Sequence, residues 1–236
     1  IKLTVGADGR NRYMQSPFGT VTGRNNPSTT KAVFGLPRWM RGFVRPSAGH
    51  GLVYVDWSQQ EFGIAAALSR DPKMQAAYKS GDPYLSFAKQ TGAAPPDATK
   101  QSHPDVRELY KTCILAVQYQ MTAKGLSQRL DKPLHEARSL LDQHRRLYSR
   151  YWEWIEQVSD HAFLNKEMVA CFGWRLNVST QTKPRTVANF QMQANGAEML
   201  RLAVIFGQEA GIRICATIHD AILIEAALGK LEAQTA

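Results

Sequence analysis

Cysteine and long apolar runs are both scarce in this sequence of 236 residues. Its three cysteines, Cys113, Cys171 and Cys215, are odd in number, lie far apart and form no Cys-x-x-Cys pair. This distribution argues against a disulfide framework or a zinc knuckle and favours a reducing compartment. No apolar run reaches the roughly eighteen residues that a membrane helix needs, and no charged-then-apolar leader is present. The sequence therefore predicts a soluble protein that is not exported.

Acidic residues are scarce in the first fifty positions, where Asp8 is the only one beside eight lysines and arginines. Over the whole chain 29 basic residues outnumber 20 acidic ones, which leaves a formal net charge of +9. Such an excess favours a polyanionic partner, first of all nucleic acid, although a charged stretch taken alone is as often a solvated surface. Hydrophobic residues make up 44%, which predicts a folded core and excludes general disorder. Because the sequence begins at Ile1 rather than Met, we expect a fragment or a processed chain.

Apolar, β-rich runs lie near both ends of the chain. Residues 52–55 predict a short buried strand that delivers Asp56 to its C-terminal end. Residues 213–218 and 221–225 predict a hairpin with His219-Asp220 at its tip. Each strand prediction therefore places an acid at the end of a β-run.

A long helical block separates these strands. Its periodicity predicts a helix after Asp56 that Ser58 caps, further helices that include residues 105–120, and a last long helix over residues 185–210. Strands at the two ends of the chain with helices between them predict an α+β fold with a helical insertion.

Asp56 and Asp220 are the candidate metal ligands. If their strands are neighbours in one sheet, the two carboxylates project from the same edge, where they repel each other unless cations lie between them. Mg²⁺ suits such a site because it takes one or two carboxylates together with water and substrate phosphates. A pair of such ions stabilises the entering and leaving oxygens of an in-line displacement at phosphorus. Taken singly, each aspartate is more commonly an ordinary strand-end or turn residue.

A stripe of four side chains follows one face of the helix predicted over residues 105–120. Successive members are four positions apart: Arg107, Lys111, Leu115 and Tyr119. The cationic end of the stripe can neutralise a triphosphate while a base stacks on its apolar and aromatic end. The alternative is an amphipathic helix whose charges are only solvated.

Five segments, in order along the chain, resemble motifs of the family A DNA polymerases, the DNA polymerase I family. They are Thr22-Gly23-Arg24, Asp56-Trp57-Ser58-Gln59-Gln60-Glu61, Arg107-x₃-Lys111-x₇-Tyr119, Arg185-x₃-Asn189-x₃-Gln193 and Ile218-His219-Asp220. The resemblance extends from about residue 6 to residue 231. It implies an α+β polymerase palm, an antiparallel sheet with packed helices, that carries a helical fingers insertion.

The same resemblance implies a division of the chain. Residues 1–62 correspond to the N-terminal part of the palm with a basic arm, residues 63–184 to the helical fingers, and residues 185–236 to a truncated C-terminal part of the palm. No segment resembles the thumb or the exonuclease domain of that family.

Site residues are carried over from the resemblance one by one. It implies that Asp56 and Asp220 bind two catalytic Mg²⁺ ions, for which Mn²⁺ can substitute. The implied nucleotide-binding residues are Arg107 and Lys111 at the phosphates, Tyr119 beside the sugar and the template position, Glu61 against a 2′-hydroxyl, and Gln59, Tyr84 and Leu115. The implied DNA-binding residues are Arg24, Asn189, Gln193 and His219 at the primer-template, and Arg185 at its backbone.

Four positions depart from the family pattern. Ala221 replaces the glutamate of the final palm motif, which we expect to weaken metal binding more than the reaction itself. Leu115 replaces an aromatic residue that packs on the incoming sugar, and Tyr84 lies about where a phosphate-binding histidine is expected. Gln120 replaces the glycine after the tyrosine, so we expect the helix to continue where others bend. These changes are typical of a divergent, phage-like or plasmid-like branch, or of decayed activity.

The resemblance implies a DNA-templated DNA polymerase that adds deoxynucleotides to a primer 3′-hydroxyl and releases pyrophosphate. Its partners would be primer-template DNA and deoxynucleoside triphosphates, and it would act as a monomer without a membrane, in the cytoplasm of a bacterial or phage-infected cell. One alternative is a single-subunit RNA polymerase, against which Glu61 argues because it would crowd a ribose hydroxyl. Another is a non-catalytic nucleic-acid-binding relative, which Ala221 favours. A nuclease is a weaker third, since it needs neither Glu61 nor the cationic stripe.

Overall fold

A computed structural model of the chain describes residues 5–12, 14–27 and 38–230. The contacts divide the chain into two compact units. We call residues 1–58 with residues 193–236 the sheet unit, and residues 59–192 the helical unit. Among the described helices, none combines the length and the apolar character that crossing a bilayer requires.

The described elements follow the predicted order of strands, helices and strands. They are β1 (Gln15–Ser16), β2 (Asn26–Pro27), a 3₁₀ helix (Arg38–Phe43), β3 (His50–Asp56), α1 (Gln60–Ser69), α2 (Pro72–Lys79), α3 (Pro83–Gln90), α4 (Pro104–Gln118), α5 (Ala123–Leu130), α6 (Leu134–Leu147), α7 (Ser149–Asn165), β4 (Glu167–Val169), β5 (Arg175–Asn177), α8 (Pro184–Glu209), β6 (Ile214–Ile218), β7 (Ala221–Ala227) and a 3₁₀ turn (Leu228–Lys230). The α+β prediction is confirmed.

The sheet unit is built on three antiparallel strands in the order β3-β7-β6. β3 pairs with β7 over its whole length, from His50 opposite Ala227 to Asp56 opposite Ala221. β6 and β7 form the predicted hairpin, in which Ile218 pairs with Ala221 across a two-residue turn. The strands β3 and β7, which are the first and the last of this sheet in chain order, are thus neighbours. This is the condition under which the sequence predicts that Asp56 and Asp220 lie close together.

One face of this sheet packs against the C-terminal half of α8. Leu200 of the helix and Ile222 and Ile224 of β7 form a buried cluster, with Val55 and Val204 among the partly buried side chains around it. Burying a side chain of this size stabilises a fold by about 1.5–3 kcal/mol. The cluster therefore fixes β3 and β7 as a rigid base for the residues at their ends.

Glu225 lies on the opposite face of the sheet, because side chains alternate along β7. Its side chain is fully buried and forms ion pairs with Arg10, at 3.4 Å, and with Arg213, at 3.2 Å. It also accepts a hydrogen bond from the backbone N–H of Ser47. The hydrogen bonds from Ser47 and the neighbouring Arg10 lower the pKa of Glu225 to about 2, against an opposing effect of burial. All four residues line an open cavity of about 820 Å³.

The helical unit has an aromatic core. Phe87, Tyr110, His144, Tyr148 and Tyr151 are buried and meet mostly edge to face. Burial lowers the pKa of His144 to about 3, so its ring is neutral at physiological pH. The Nε1–H of Trp152 donates a hydrogen bond to Nδ1 of this ring at 3.2 Å. The core holds α3, α4, α6 and α7 together and so determines how the side chains of α3 and α4 are presented.

Two local predictions are wrong. The N-cap of α1 is Gln59 and not Ser58, and Gln59 makes no capping hydrogen bond with its side chain. The helix α4 ends at Gln118 and does not continue through Gln120, which has a left-handed φ of 51°. A glutamine has no intrinsic preference for that conformation, so its sequence gives no signal of the bend.

Candidate active site

The two aspartates predicted as metal ligands lie at the ends of neighbouring strands. Asp56 is the last residue of β3 and is paired with Ala221, and Asp220 directly precedes Ala221 in the chain. Burial and, to a lesser degree, the charge of Asp220 raise the pKa of Asp56. An electrostatic effect of one carboxylate on the other is expected only when the two groups are close. The structure therefore brings Asp56 and Asp220 together.

The local structure gives this pair its position. β3 is held on β7 by seven residue pairs, so the carboxylate of Asp56 projects from a fixed strand end. Asp220 follows His219, whose φ of 56° is left-handed. Left-handed backbone at a non-glycine residue is uncommon, although histidine is among the residues enriched there. A tight turn of two residues thereby holds Asp220 beside the end of β3.

Tyr54 is a neighbour of the acid pair that the sequence prediction missed. It precedes Asp56 by two positions on β3, so both side chains project from the same face of the sheet. Burial first, and then the charges of Asp56 and Asp220, raise the pKa of its phenol, while Arg41 lowers it. The period of two along a strand is the signal that could have identified Tyr54.

The chemistry of this pair fits a divalent cation of the magnesium type. Two carboxylates offer hard oxygen ligands, and Mg²⁺ commonly takes one or two such groups and completes its shell with water and phosphate oxygens. Ala221 contributes only a buried methyl group opposite Asp56. Among the described residues no group of three or more His, Cys, Asp or Glu side chains forms a cage for a metal ion. The two carboxylates are thus sufficient for a cation whose remaining ligands come from water and from the phosphate oxygens of a substrate.

The stripe predicted on α4 begins with two cations that already have acidic partners. Arg107 donates a hydrogen bond from Nε to Oδ2 of Asp82, and its guanidinium carbon lies 5.2 Å from the ring centroid of Tyr84. Nζ of Lys111 lies 3.2 Å from both carboxylate oxygens of Glu108. The sequence prediction missed Asp82, because no periodicity links a residue before α3 to one in α4.

The remaining members of the stripe are Leu115 and Tyr119. Leu115 is half-buried on α4, and Tyr119 is the C-cap residue, with 44% of its surface exposed. Tyr84 is buried beneath Arg107, and burial is the main cause that raises the pKa of its phenol. The charge of Glu61, in the first turn of α1, raises that pKa further.

The predicted DNA-contacting residues lie on one turn, one helix and one hairpin. Arg24 follows Gly23, which has a φ of 72°, and the carbonyl of Gly23 accepts a hydrogen bond from Arg201 of α8. Arg185, Asn189 and Gln193 are spaced by four along α8 and therefore share one side of that helix. His219 is exposed at the hairpin tip.

Each of the two units contains part of the predicted site residues. Arg24, Asp56, Gln193, His219 and Asp220 belong to the sheet unit, and Gln59, Glu61, Tyr84, Arg107, Lys111, Leu115, Tyr119, Arg185 and Asn189 belong to the helical unit.

Several known proteins are similar to this chain. DNA polymerase I from Thermus thermophilus, a thermostable enzyme, is 29% identical over 209 residues, which cover 83% of this chain and 25% of that protein. DNA polymerase I from Aquifex aeolicus is 28% identical over 231 residues, which cover 91% of this chain and 39% of that protein. The chain thus spans between a quarter and two fifths of the length of these relatives.

The fold has a counterpart among solved structures. The POL domain of Pol1 from M. smegmatis, in a complex with DNA primer-template and dNTP, superposes with a TM-score of 0.85 at 23% identity, covering 98% of this chain and 44% of that one. Residues 25–236 also match the sequence profile of DNA polymerase family A. On the strength of that match over most of its length, we assign the chain to DNA polymerase family A.

Proposed function

We propose that this chain carries out template-directed addition of deoxynucleotides to a primer 3′-hydroxyl, with release of pyrophosphate. The observation that carries the proposal is the convergence of Asp56 and Asp220 at the ends of paired strands. In this proposal residues 1–62 and 185–236 form a polymerase palm and residues 63–184 the fingers, bounds that differ by a few residues from those of the sheet unit and the helical unit. The protein acts as a monomer in the cytoplasm of a bacterial or phage-infected cell.

Asp56 and Asp220 hold the divalent cations in this proposal, two Mg²⁺ ions or Mn²⁺ in their place. When bound, such ions supply charge stabilisation to the attacking and leaving oxygens of the displacement at phosphorus. The contribution of the chain is to fix both carboxylates at the ends of a rigid sheet, so little reorganisation is needed when the charge develops. The raised pKa of Asp56 reflects, after burial, the repulsion that a cation relieves.

Arg107 and Lys111 bind the triphosphate of the incoming nucleotide. They lie one turn apart on α4, and charge-assisted hydrogen bonds from such cations to phosphate oxygens are among the strong ones in proteins. Leu115 and Tyr119 lie farther along the same side of the helix, where their apolar and aromatic side chains contact the sugar and the base of the nucleotide. Tyr84 supports the guanidinium of Arg107 from below.

Glu61 selects the sugar, and Gln59 precedes it at the start of α1. A carboxylate that faces the 2′ position crowds a ribose hydroxyl and leaves a deoxyribose undisturbed. This selection favours deoxynucleotides and argues for a DNA polymerase over a single-subunit RNA polymerase.

Primer-template DNA is held by polar side chains that read pairing and not sequence. Minor-groove acceptors occupy similar places in all four base pairs, so Arg24, Asn189, Gln193 and His219 can sense a correct pair without discriminating among bases. Arg185, exposed in the first turn of α8, contacts the DNA backbone. The formal net charge of +9 supports binding that weakens with salt.

A non-catalytic DNA-binding relative is the second candidate, and Ala221 is the observation that favours it. A methyl group opposite Asp56 cannot supplement the two carboxylates. Such a protein would bind primer-template with the same salt dependence and extend nothing.

Primer extension with Mg²⁺ or Mn²⁺ separates the two candidates. Asp56→Ala and Asp220→Ala are each expected to abolish extension and to leave DNA binding intact, because they remove negative charge only. Glu209→Ala, which removes an exposed carboxylate at the end of α8, is the matched control and should extend normally. Retained extension by either aspartate variant would contradict the metal assignment.

A further inference from the structure

Asp82 uses its two carboxylate oxygens for different purposes. Oδ1 accepts a hydrogen bond from the backbone N–H of Leu85, at 3.1 Å, and so caps the N-terminus of α3. Oδ2 accepts the hydrogen bond from Nε of Arg107, which lies on α4. The side chains of Arg107 and Asp82 are 14% and 25% exposed, so both are held largely within the protein. One carboxylate therefore joins the start of α3 to a cation of α4.

The guanidinium of Arg107 is restrained on two sides. The ring of Tyr84 lies against it, at 5.2 Å from the guanidinium carbon, and Asp82 takes the hydrogen of Nε. A guanidinium has five N–H donors, so the two terminal amino groups, Nη1 and Nη2, retain four. Within the described part of the chain, neither of them has a hydrogen-bond acceptor. The two terminal amino groups of Arg107, which can bind a phosphate with two parallel hydrogen bonds, are thus the groups that remain available to a ligand.

We propose that Asp82 is a positioning residue for triphosphate recognition. It binds Nε of Arg107 and so holds the side chain in one orientation. Nη1 and Nη2 are then already oriented to bind the triphosphate before the nucleotide arrives. This inference rests on the proposed function of Arg107. Asp82 does not contact the substrate, and its positioning effect acts through the arginine.

Asp82 has two opposed effects on a bound triphosphate, and their balance decides the sign of the outcome. Its negative charge repels the phosphates, but that charge is shared with Arg107 and is partly exposed, so solvent screens it. Without Asp82, the long arginine side chain would have to be ordered anew for each nucleotide, at a cost in rotamer entropy. Ordering outweighs repulsion in the proposal, so removing the carboxylate weakens nucleotide binding.

Asp82→Asn separates the two functions of the residue. Asparagine is as good an N-cap as aspartate, so its carbonyl oxygen can still accept from Leu85, but its amide NH₂ cannot accept from Nε of Arg107. Asp82→Ser is a second variant that keeps a cap and lacks the second acceptor. Asp105→Asn is the matched control, because it removes an exposed carboxylate two positions before Arg107 in the first turn of α4.

The binding of dATP is measured by calorimetry in the presence of Mg²⁺ and a primer-template whose primer ends in a dideoxynucleotide and so cannot be extended. Steady-state extension kinetics with an ordinary primer and thermal melts complete the measurements. We expect Asp82→Asn and Asp82→Ser to raise Kd and KM for dATP about tenfold, equivalent to about 1.4 kcal/mol, with kcat, DNA affinity and melting temperature little changed. Asp105→Asn should leave Kd unchanged or lower it. In an Arg107→Ala background, Asp82→Asn should not raise Kd further, because its ordering effect acts through that arginine and only the repulsion of the phosphates would be left to remove.

Three results would overturn the inference alone: an unchanged or lowered Kd in both Asp82 variants, a loss that Asp105→Asn reproduces, or a loss that persists when Arg107 is already alanine. If the unmodified chain neither binds dATP nor extends a primer, the proposed function fails first and the inference fails with it.

Discussion

Replacing Glu225 by glutamine is expected to destabilise the sheet unit by about 2 kcal/mol at pH 7, because the folded state lowers the pKa of this carboxyl to about 2. Glu225 is buried on β7, where it pairs with Arg10 and Arg213 and accepts the hydrogen bond of Ser47. Glutamine keeps the size and one acceptor oxygen, so the variant removes the charge and little else. Two arginines then lose their shared anion.

The magnitude follows from the pKa. A carboxyl that titrates at about 2 instead of the ordinary 4.5 gains about 3 kcal/mol from ionisation in the folded state. The partners Arg10 and Arg213 are 38% and 54% exposed, so water screens part of that interaction, and we take about 2 kcal/mol as the net effect. The lowered pKa also fixes the sign. The stabilisation is complete above the unfolded-state pKa near 4.5 and is lost as the pH falls toward 2.

Urea unfolding of both proteins at several pH values measures this difference. At pH 7 the free energy of unfolding of the glutamine variant should be about 2 kcal/mol lower than that of the unmodified chain. The difference should shrink as the pH falls from about 4.5 toward 2 and nearly vanish only below pH 2, where the native carboxyl is mostly protonated. Glu209→Gln, at an exposed position, should match the unmodified chain at every pH. A difference that stays constant across this pH range would refute the electrostatic explanation, and no difference at all would refute the role of Glu225.

Two further predictions concern the helical unit. Gln120→Gly is expected to raise the free energy of unfolding by about 0.5 kcal/mol in a thermal melt. Glycine relieves the strain of the left-handed φ, and part of that gain is lost because glycine has more backbone entropy in the unfolded state. Gln120→Ala retains a Cβ atom and should therefore show no gain. Glu61→Ala is expected to raise ribonucleotide incorporation relative to deoxynucleotide incorporation about tenfold in competition assays, equivalent to about 1.4 kcal/mol. Asp105→Ala, which removes an exposed carboxylate from the first turn of α4, is its control. An unchanged ratio in the Glu61 variant would remove the sugar-selection hypothesis.

The strands and their acids could be predicted because their signals are local. A run of β-branched and apolar residues that ends in Asp56, and a second pair of runs around Asp220, specify strand ends without reference to anything else in the chain. That the two strands are neighbours followed from a resemblance and not from the residues themselves. The pairing of Asp56 with Ala221 supplies that missing step.

Other features of the site could not be predicted because their partners are distant in sequence. Asp82 and Arg107 are 25 positions apart, and Ser47 and Glu225 are 178 apart. Single-sequence patterns report periodicity within one element and carry no information on such pairs. The bend at Gln120 escaped prediction for a different reason. The backbone N–H groups of Gln120 and Met121 donate to the carbonyls of Val117 and Ala116 and end the helix with Gln120 in the left-handed region, a position that glycine usually occupies.

The two-residue turn between β6 and β7 limits which changes this part of the molecule can accept during evolution. Because neighbouring positions of a strand point to opposite faces, one residue inserted or deleted between the turn and Ala216 would shift the register there and exchange inward side chains for outward ones. Farther from the turn, between Ile214 and Ala216, the register already shifts, so the constraint is strongest next to the turn. Substitutions cause no such shift, and Ala221 shows that even a position opposite Asp56 can hold a plain methyl group. Variation among related chains is therefore expected to change side chains along this hairpin and to spare its length, with insertions confined to connections such as residues 92–103, between α3 and α4.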